Sequence, residues 1–598
     1  MWDIESFKNG LEYLDGLYRD RLDKIRDLDI DTGDLIRGLN VGDAKKYLLE
    51  YFGEGEYKAL GIDGSMEYTV GLDVITMFVA VAGYTLKFRI GREGDITLNF
   101  SDVEKMDAYS IFKVIPFWFE DLNAFSGVSN LLDDRSLGKS IESIPRSVMT
   151  FGEFLFAYRA LKSGDIKIVF LDRPIASSYG PYFRDARELI LRYRGGIFTS
   201  EGSPLGPIPL RDLYLAIYFG PDPSMISIEY RPGYKMHYII NKMVNLAYET
   251  GSEEIDVHML MKYLPDRVSI DRLLKKLDQF NNEFLDGSLI DDISLNRVVL
   301  NRGIYRYWDN AFKLVDVFTR SLLYGGVGQH PLYINGKPMT VKEINTLTLL
   351  LLYELKRVEE EVGGLIIGIG KDTSVTDLNR SVIPYLKSVG SSINIETVST
   401  KSDRNMLNIL SALFRDKFPT PWRTAGYDNI FSSLIHDGSD LIPARRKAGV
   451  SSLLVRNYFQ LREVRYLDDL YIRSPIFFYD RFIRDGDKNF MRDVELRHVT
   501  GKYRSKIYLE FPESNPLDNM ILYILRAFDN DQIIESAGHN YLLFIADKEV
   551  KRMIKTIRSS VSKVVENTMY RMIRRYNIYI LTKSFREYRA QLERRRRR

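Results

Sequence analysis

The chain has 598 residues, 45% of them hydrophobic and 28% charged, which excludes a mainly disordered protein and supplies a core for several domains. It has no Cys and only six His, so disulfides, zinc–thiolate centres and Cys nucleophiles are excluded and a His-rich metal site is disfavoured. Lys and Arg number 84 against 81 Asp and Glu, a net charge of +3, so the total balance by itself points to no polyanionic partner.

In chain order, residues 1–50 read as a helical segment. The opening MWDIESFKNGLEYLDGLYRDRLDKIRDLD is charged and amphipathic and lacks a signal-peptide apolar core. Residues 57–100 read as a β-hairpin region, with turns expected at residues 61–64, at Gly83 and at residues 91–94. The most apolar stretch, residues 70–86, contains Asp73 and is too short for a membrane span of ~20 residues. Its β-branched and aromatic content predicts one or two buried strands. With neither a signal peptide nor a membrane span expected, a cytoplasmic protein is the default. Residues 150–164 carry apolar residues at helical spacing and stop at Gly164. The run IKIVFL that follows is nearly continuous in apolar residues, as in a buried central strand.

Residues 186–360 read mostly as long amphipathic helices, including YIINKMVNLAYET, DRLLKKLDQFNNEFLDG and VKEINTLTLLLLYELKRVEEEVGG. From residue 364 strand character returns in LIIGIGKDT, RSPIFFYDRFI and KYRSKIYLEF. A helix is expected at about 517–528, and GHNYLLFIAD at 538–547 leads into a final long helix over 546–575. Strands at both ends flank a helix-rich middle. The predicted architecture is an α/β nuclease-like core split by a large helical insertion, with a helical C-terminus. Its segments are 1–50 (helical), 51–185 (first part of the core), 186–360 (insertion), 361–548 (second part) and 549–598 (basic helix and Arg tail).

Charge is unevenly placed. Residues 551–598 hold sixteen Lys and Arg against three Glu, which leaves the rest of the chain at −10. A basic end favours nucleic acid or another polyanion, and a solvated helix face is the bland alternative. Arg574 and Arg575 are candidate DNA contacts, with Tyr570, Tyr576 and Tyr579 available for stacking or for helix packing. Gln is used five times, which together with the missing Cys fits a thermophile's avoidance of thermolabile residues.

Two acids follow apolar strands: Asp63 after ALGI and Asp172 after IKIVFL. A carboxylate there is costly unless paired or bound to a cation. Two from adjacent strands would share Mg²⁺ or Mn²⁺, which prefer hard oxygen ligands. The plain alternative is a turn Asp at a strand end. Glu153, in the preceding helix, faces the same cleft or stabilises its helix N-terminus. GGLIIGIGKDT fails as a phosphate loop, because Leu365 stands where Gly is required and Asp372 follows Lys371. Lys371 is left as a candidate phosphate contact or a surface Lys.

Four blocks in order, LGIDGS at 60–65, FGEFLFAYRAL and VFLDRPI at 151–175, IIGIGKDTSV at 366–375 and GHNYLLFIAD at 538–547, resemble the NurA nucleases. These are DNA-end-processing enzymes of archaea and bacteria that work with the hexameric HerA translocase. The resemblance implies an RNase H-like mixed-sheet core and a metal site of Asp63, Glu153, Asp172 and Asp547. It implies Mn²⁺ as the cofactor, with Mg²⁺ as the alternative. His539 would act in proton transfer or on a phosphate oxygen. Arg173 stands where the family usually has Gly, His539 where it has Tyr and Asp547 where it has His; Arg173 is assigned to DNA. The implied activity is 5′→3′ exonuclease and single-strand endonuclease action on single- and double-stranded DNA. The implied assembly is a homodimeric ring docked on a HerA-type ATPase, with no membrane association. Three other readings stay open: an inactive DNA-binding or translocase-docking subunit with the same fold, an RNase H-like enzyme acting on RNA or on a guide-bound duplex, and a helical interaction protein in which the acids at 63, 153 and 172 lie far apart.

Overall fold

A mixed sheet of twelve strands organises the chain in the computed structural model. The structure describes residues 4–71, 74–118, 121–126, 134–201, 203, 206–226, 228, 235–264, 269–325, 329–371, 374–395, 402–437, 440–443, 452–467, 470–498 and 501–576. The elements that position the site are, in chain order, α1 (Ile4–Arg26), β1 (Ile36–Gly38), α2 (Val41–Phe52), β2 (Gly55–Gly71), β3 (Val74–Ile90), β4 (Ile96–Leu98), β5 (Ile111–Trp118), α3 (Asp134–Lys162), β6 (Ile166–Leu171), α4 (Ile175–Tyr193), α5 (Leu210–Phe219), α6 (Lys235–Thr250), α7 (Tyr307–Tyr324), α8 (Val341–Glu361), β7 (Leu365–Gly370), β8 (Trp422–Thr424), β9 (Leu454–Gln460), β10 (Phe477–Phe482), α9 (Pro516–Ala527) and α10 (Tyr541–Tyr576).

The sheet runs β1-β8-β9-β10-β7-β6-β2-β3-β4, and β5 pairs with the distal half of β3. At its centre β6 lies between β2 and β7 and is parallel to both. Every other pairing along that path is antiparallel. The run IKIVFL forms β6 because both of its faces are covered. Val169 and Leu171 join the apolar cluster of α3, α4 and α8, while Ile168 and Phe170 join that of α9 and the start of α10. Helices therefore pack on both faces of the parallel centre, as parallel strands require.

Several expectations change. Residues 1–50 are not all helical: Ile36–Gly38 forms an edge strand against Trp422–Thr424. Gly61, Gly64 and Gly83 make no turns. They sit inside two strands of 17 residues each, paired from Gly55↔Ile90 to Gly71↔Val74. A Cβ on Gly61 would lie 2.5 Å from Cβ of Leu542, and one on Gly83 would lie 2.7 Å from the Phe156 ring. These glycines admit helices close to the sheet, which is the other reason for Gly in a strand. The final helix begins at Tyr541, not near 546. Asn540 caps it, its Oδ1 accepting the N–H groups of Leu542 and Leu543. Within 186–360, α8 is buried almost all round, so it is a core helix and not an amphipathic one. A three-stranded sheet (Glu254–Asp256, Ile290–Ile293, Arg297–Leu300) interrupts the helices. One apolar cluster joins β2, β3 and α3 to α4 through α8. No helix among the described residues is long and apolar enough to cross a membrane.

The substitution Gly61→Ala forces a methyl group into the backbone of α10, and overpacking of this kind costs about 1–3 kcal/mol. The urea midpoint should fall. Gly10→Ala, in open space on α1, should not lower it, since Ala is the better helix former by ~1 kcal/mol.

Candidate metal centre

Alternate residues of β2 face opposite sides of the sheet. Gly61 and Asp63 face α10, where Leu542 packs over Gly61. Gly64 faces α3, where a Cβ would collide with Oε1 of Glu153. The neighbouring strand β6 ends at Leu171, paired with Ile62, and the Asp172 N–H donates to the Ile62 carbonyl at 3.0 Å. The parallel register thus fixes Asp172 beside Asp63. Helix α10 crosses β2 at Gly61, near Asp63, and brings in Asp547.

One carboxylate oxygen from each of Asp63, Asp172 and Asp547 lies within 4.8 Å of the other two. Among the described residues no other cluster of three or more acids or histidines comes together in this way. Each acid also has a donor. The Gly64 N–H donates to Oδ1 of Asp63 at 2.7 Å. Nζ of Lys371 donates to Oδ2 of Asp172 at 2.5 Å, across two adjacent parallel strands. Lys551, one turn along α10, pairs with Asp547 at 2.7 Å.

Burial pushes the Asp63 carboxyl up to about 9, helped by repulsion from Asp172 and Glu153 and opposed by Lys371. Burial raises Asp172 as well, against the pull of Lys371. Burial alone would lower Lys371, but the Asp172 carboxylate beside it turns the net shift upward. Three crowded carboxylates, two of them resisting ionisation and all hard oxygen donors, fit a divalent cation such as Mn²⁺ or Mg²⁺. Its charge would relieve both the burial and the repulsion.

The other expected residues are placed as follows. Glu153 lies on the α3 side of β2, 2% exposed, and accepts from Nε of Arg173. Burial raises its pKa and Arg173 opposes the rise. It is not one of the three clustered acids. Arg173, assigned above to DNA, pairs with Glu153 while its own side chain stays partly exposed. Without that partner the buried carboxylate would be costly. Lys371, assigned to DNA phosphate, is committed to Asp172. His539 is buried, with its ring 5.2 Å from that of Phe477, and it does not join the cluster. Burial pulls its pKa down to about 3, so the ring is neutral and is no proton donor at neutral pH. Arg574, Arg575, Tyr570 and Tyr576 belong to α10. Tyr579 and the five terminal Arg lie outside the described residues. Two partners escaped the sequence reading. Lys551 was open to inference from its i,i+4 spacing to Asp547. The Arg173–Glu153 pair had no local signal, because it joins residues twenty positions apart.

No family model matches the sequence, and no curated protein matches it. Among solved structures, a crystal structure of NurA matches with 12% identity and a TM-score of 0.34, over 93% of this chain and 97% of that one. A crystal structure of NurA bound to dAMP and manganese matches with 11% identity and a TM-score of 0.32, over 91% and 93%. The NurA nuclease from Sulfolobus solfataricus matches with 10% identity and a TM-score of 0.32, over 94% and 98%. Likenesses this low leave the function to be argued from the side chains.

The raised Asp63 pKa has a stability consequence. In metal-free protein the folded state keeps a proton on Asp63 up to about pH 9, while the unfolded chain releases it near 3.8. The folded state binds more protons across that window, so stability falls as pH rises through it. The thermal midpoint in EDTA should decline from pH 5 to pH 9. Asp63→Asn, which mimics the protonated form, should flatten the decline and raise the midpoint at pH 8.

Proposed function

We propose that this protein is a divalent-metal-dependent nuclease that hydrolyses DNA phosphodiester bonds. The observation that carries the reading is the convergence of Asp63, Asp172 and Asp547, from two strands and a helix far apart in the chain, within 4.8 Å of one another. Carboxylates crowded in a buried place are expensive as mere structure. The strand order supports an RNase H-like core. In it β4 or β5, β3 and β2 run antiparallel, β6 and β7 lie parallel to β2, and Asp172 at the end of β6 stands beside Asp63 in the middle of β2. On this reading residues 186–360 are an insertion between the two parts of the core.

Asp63, Asp172 and Asp547 would hold the ion. When bound, such an ion polarises a phosphoryl oxygen and lowers the pKa of a water molecule. Lys371 is already beside Asp172 and would turn its ammonium to a phosphate oxygen of the substrate. Lys551, mostly exposed beside Asp547, would meet the backbone on the solvent side. Arg173 opposes the rise in the Glu153 pKa and holds the carboxylate in place. From the resemblance we take DNA as the substrate, with 5′→3′ exonuclease and single-strand endonuclease action in the cytoplasm, and Mn²⁺ as the preferred ion. A homodimer and a HerA-type ATPase as a separate chain complete the proposal. The failed phosphate-loop pattern, with Leu365 and Asp372 at its required positions, agrees with an energy source outside this chain. The Arg173–Glu153 pair favours one second reading, an inactive DNA-binding or translocase-docking subunit, because it occupies an acid next to the cluster.

End-labelled single-stranded DNA, duplex DNA and matched RNA, each with Mn²⁺, Mg²⁺ or EDTA, test this. The expected result is metal-dependent cleavage of DNA that Asp172→Asn reduces by more than the ~10–100-fold typical of losing an outer partner of a metal ligand. DNA binding with no cleavage under any metal would favour the docking subunit. Cleavage confined to RNA would reject DNA as the substrate.

A further inference from the structure

The cations around the cluster divide into two kinds. Lys371 is partly exposed and Lys551 mostly exposed, so both can move away when a metal ion or phosphate arrives. Arg173 cannot do so readily. Its side chain is 16% exposed, Glu153 opposite it is 3% exposed, and Ala176, three residues on, donates its N–H to the buried Asp480 at 2.8 Å. Moving Arg173 out would strand Glu153 as an unpaired buried charge, a cost of several kcal/mol in general. Arg173 also lies in the field of Asp63. The guanidinium therefore stands on the α3 side of β2, paired with Glu153, and keeps that carboxylate from taking a second cation near the cluster.

We infer that the centre takes one divalent cation per chain, on Asp63, Asp172 and Asp547, and that Arg173 serves as a built-in second cation by occupying Glu153. The inference rests on the proposed metal-dependent function and specifies its stoichiometry. Charge agrees with it. With all four carboxylates ionised, as a bound metal requires, Asp63, Glu153, Asp172 and Asp547 face three cations, Arg173, Lys371 and Lys551, a net charge of −1. One divalent ion brings this to +1, which matches a single phosphodiester, whereas two ions bring it to +3. Arg173 is thus a positioning residue for Glu153 and a fixed charge, not a group that touches the substrate.

The test is equilibrium dialysis of the full chain against Mn²⁺ at rising concentration, with bound metal counted by elemental analysis and by electron paramagnetic resonance. The expected result is one tight Mn²⁺ per chain with no spin–spin coupling. Glu153→Gln should leave that number and the affinity within about threefold, and Asp63→Asn should abolish tight binding. Arg173→Gln, which frees Glu153, should add a second and weaker Mn²⁺ with a coupled spectrum. Two tight ions on the unaltered chain, or loss of the single ion in Glu153→Gln, would overturn the inference while leaving a metal-dependent nuclease intact. No tight ion at all would remove the proposed function together with it.

Discussion

Like charges crowded out of water set the terms for this structure. Asp63, Asp172 and Asp547 meet near the end of the parallel strands, and Glu153 lies just through the sheet. Such a group can exist only if protons, cations or both offset its repulsion. The chain supplies one cation for each of three acids: Lys371 for Asp172, Lys551 for Asp547 and Arg173 for Glu153. Asp63 alone has no cation of its own, and its carboxyl is pushed up to about 9. The vacancy in the charge pattern is therefore at Asp63, and the oxygens of Asp172 and Asp547 complete a place for a divalent ion around it.

The fold brings these groups together by removing side chains. Gly61 lets Leu542 at the head of α10 lie against β2, which carries Asp547 to the cluster. Gly64 makes room for the Glu153 carboxylate on the opposite face. On β7 a Cβ at Gly368 would lie 2.5 Å from the carbonyl oxygen of Arg173, so the turn from β6 into α4, which carries Arg173, also depends on a missing side chain. The parallel register of β2, β6 and β7 does the rest, since it sets Asp172 and Lys371, just past the ends of β6 and β7, beside Asp63 in the middle of β2. Ligand sites at the carboxyl ends of parallel strands follow the same logic in open α/β sheets generally.

Asp172 was legible in the sequence, because a continuous apolar run that stops at Asp identifies a buried strand and its end. Asp63 was legible as an acid beside a strand but not in its true setting. Asp-Gly is a common turn dipeptide, and nothing local shows that Gly64 is kept small for a helix residue 89 positions later. The α/β character and the core-facing run of β6 were readable from apolar pattern. The edge strand β1, the antiparallel extension through β8, β9 and β10, and the burial of α8 on all sides were not, because long-range pairing decides them. Asp547 entered through a family resemblance alone. Arg173 and Lys371 look like surface cations in sequence, and only their neighbours in space turn them into partners of Glu153 and Asp172.

Anomalous diffraction from crystals of this protein grown with Mn²⁺ would test the central claim most directly. The account predicts an anomalous peak within metal–oxygen bonding distance of carboxylate oxygens of Asp63, Asp172 and Asp547, with Lys371 displaced from Asp172. Crystals saturated with Mn²⁺ that show no peak at these three acids, with Lys371 still seated on Asp172, would contradict it.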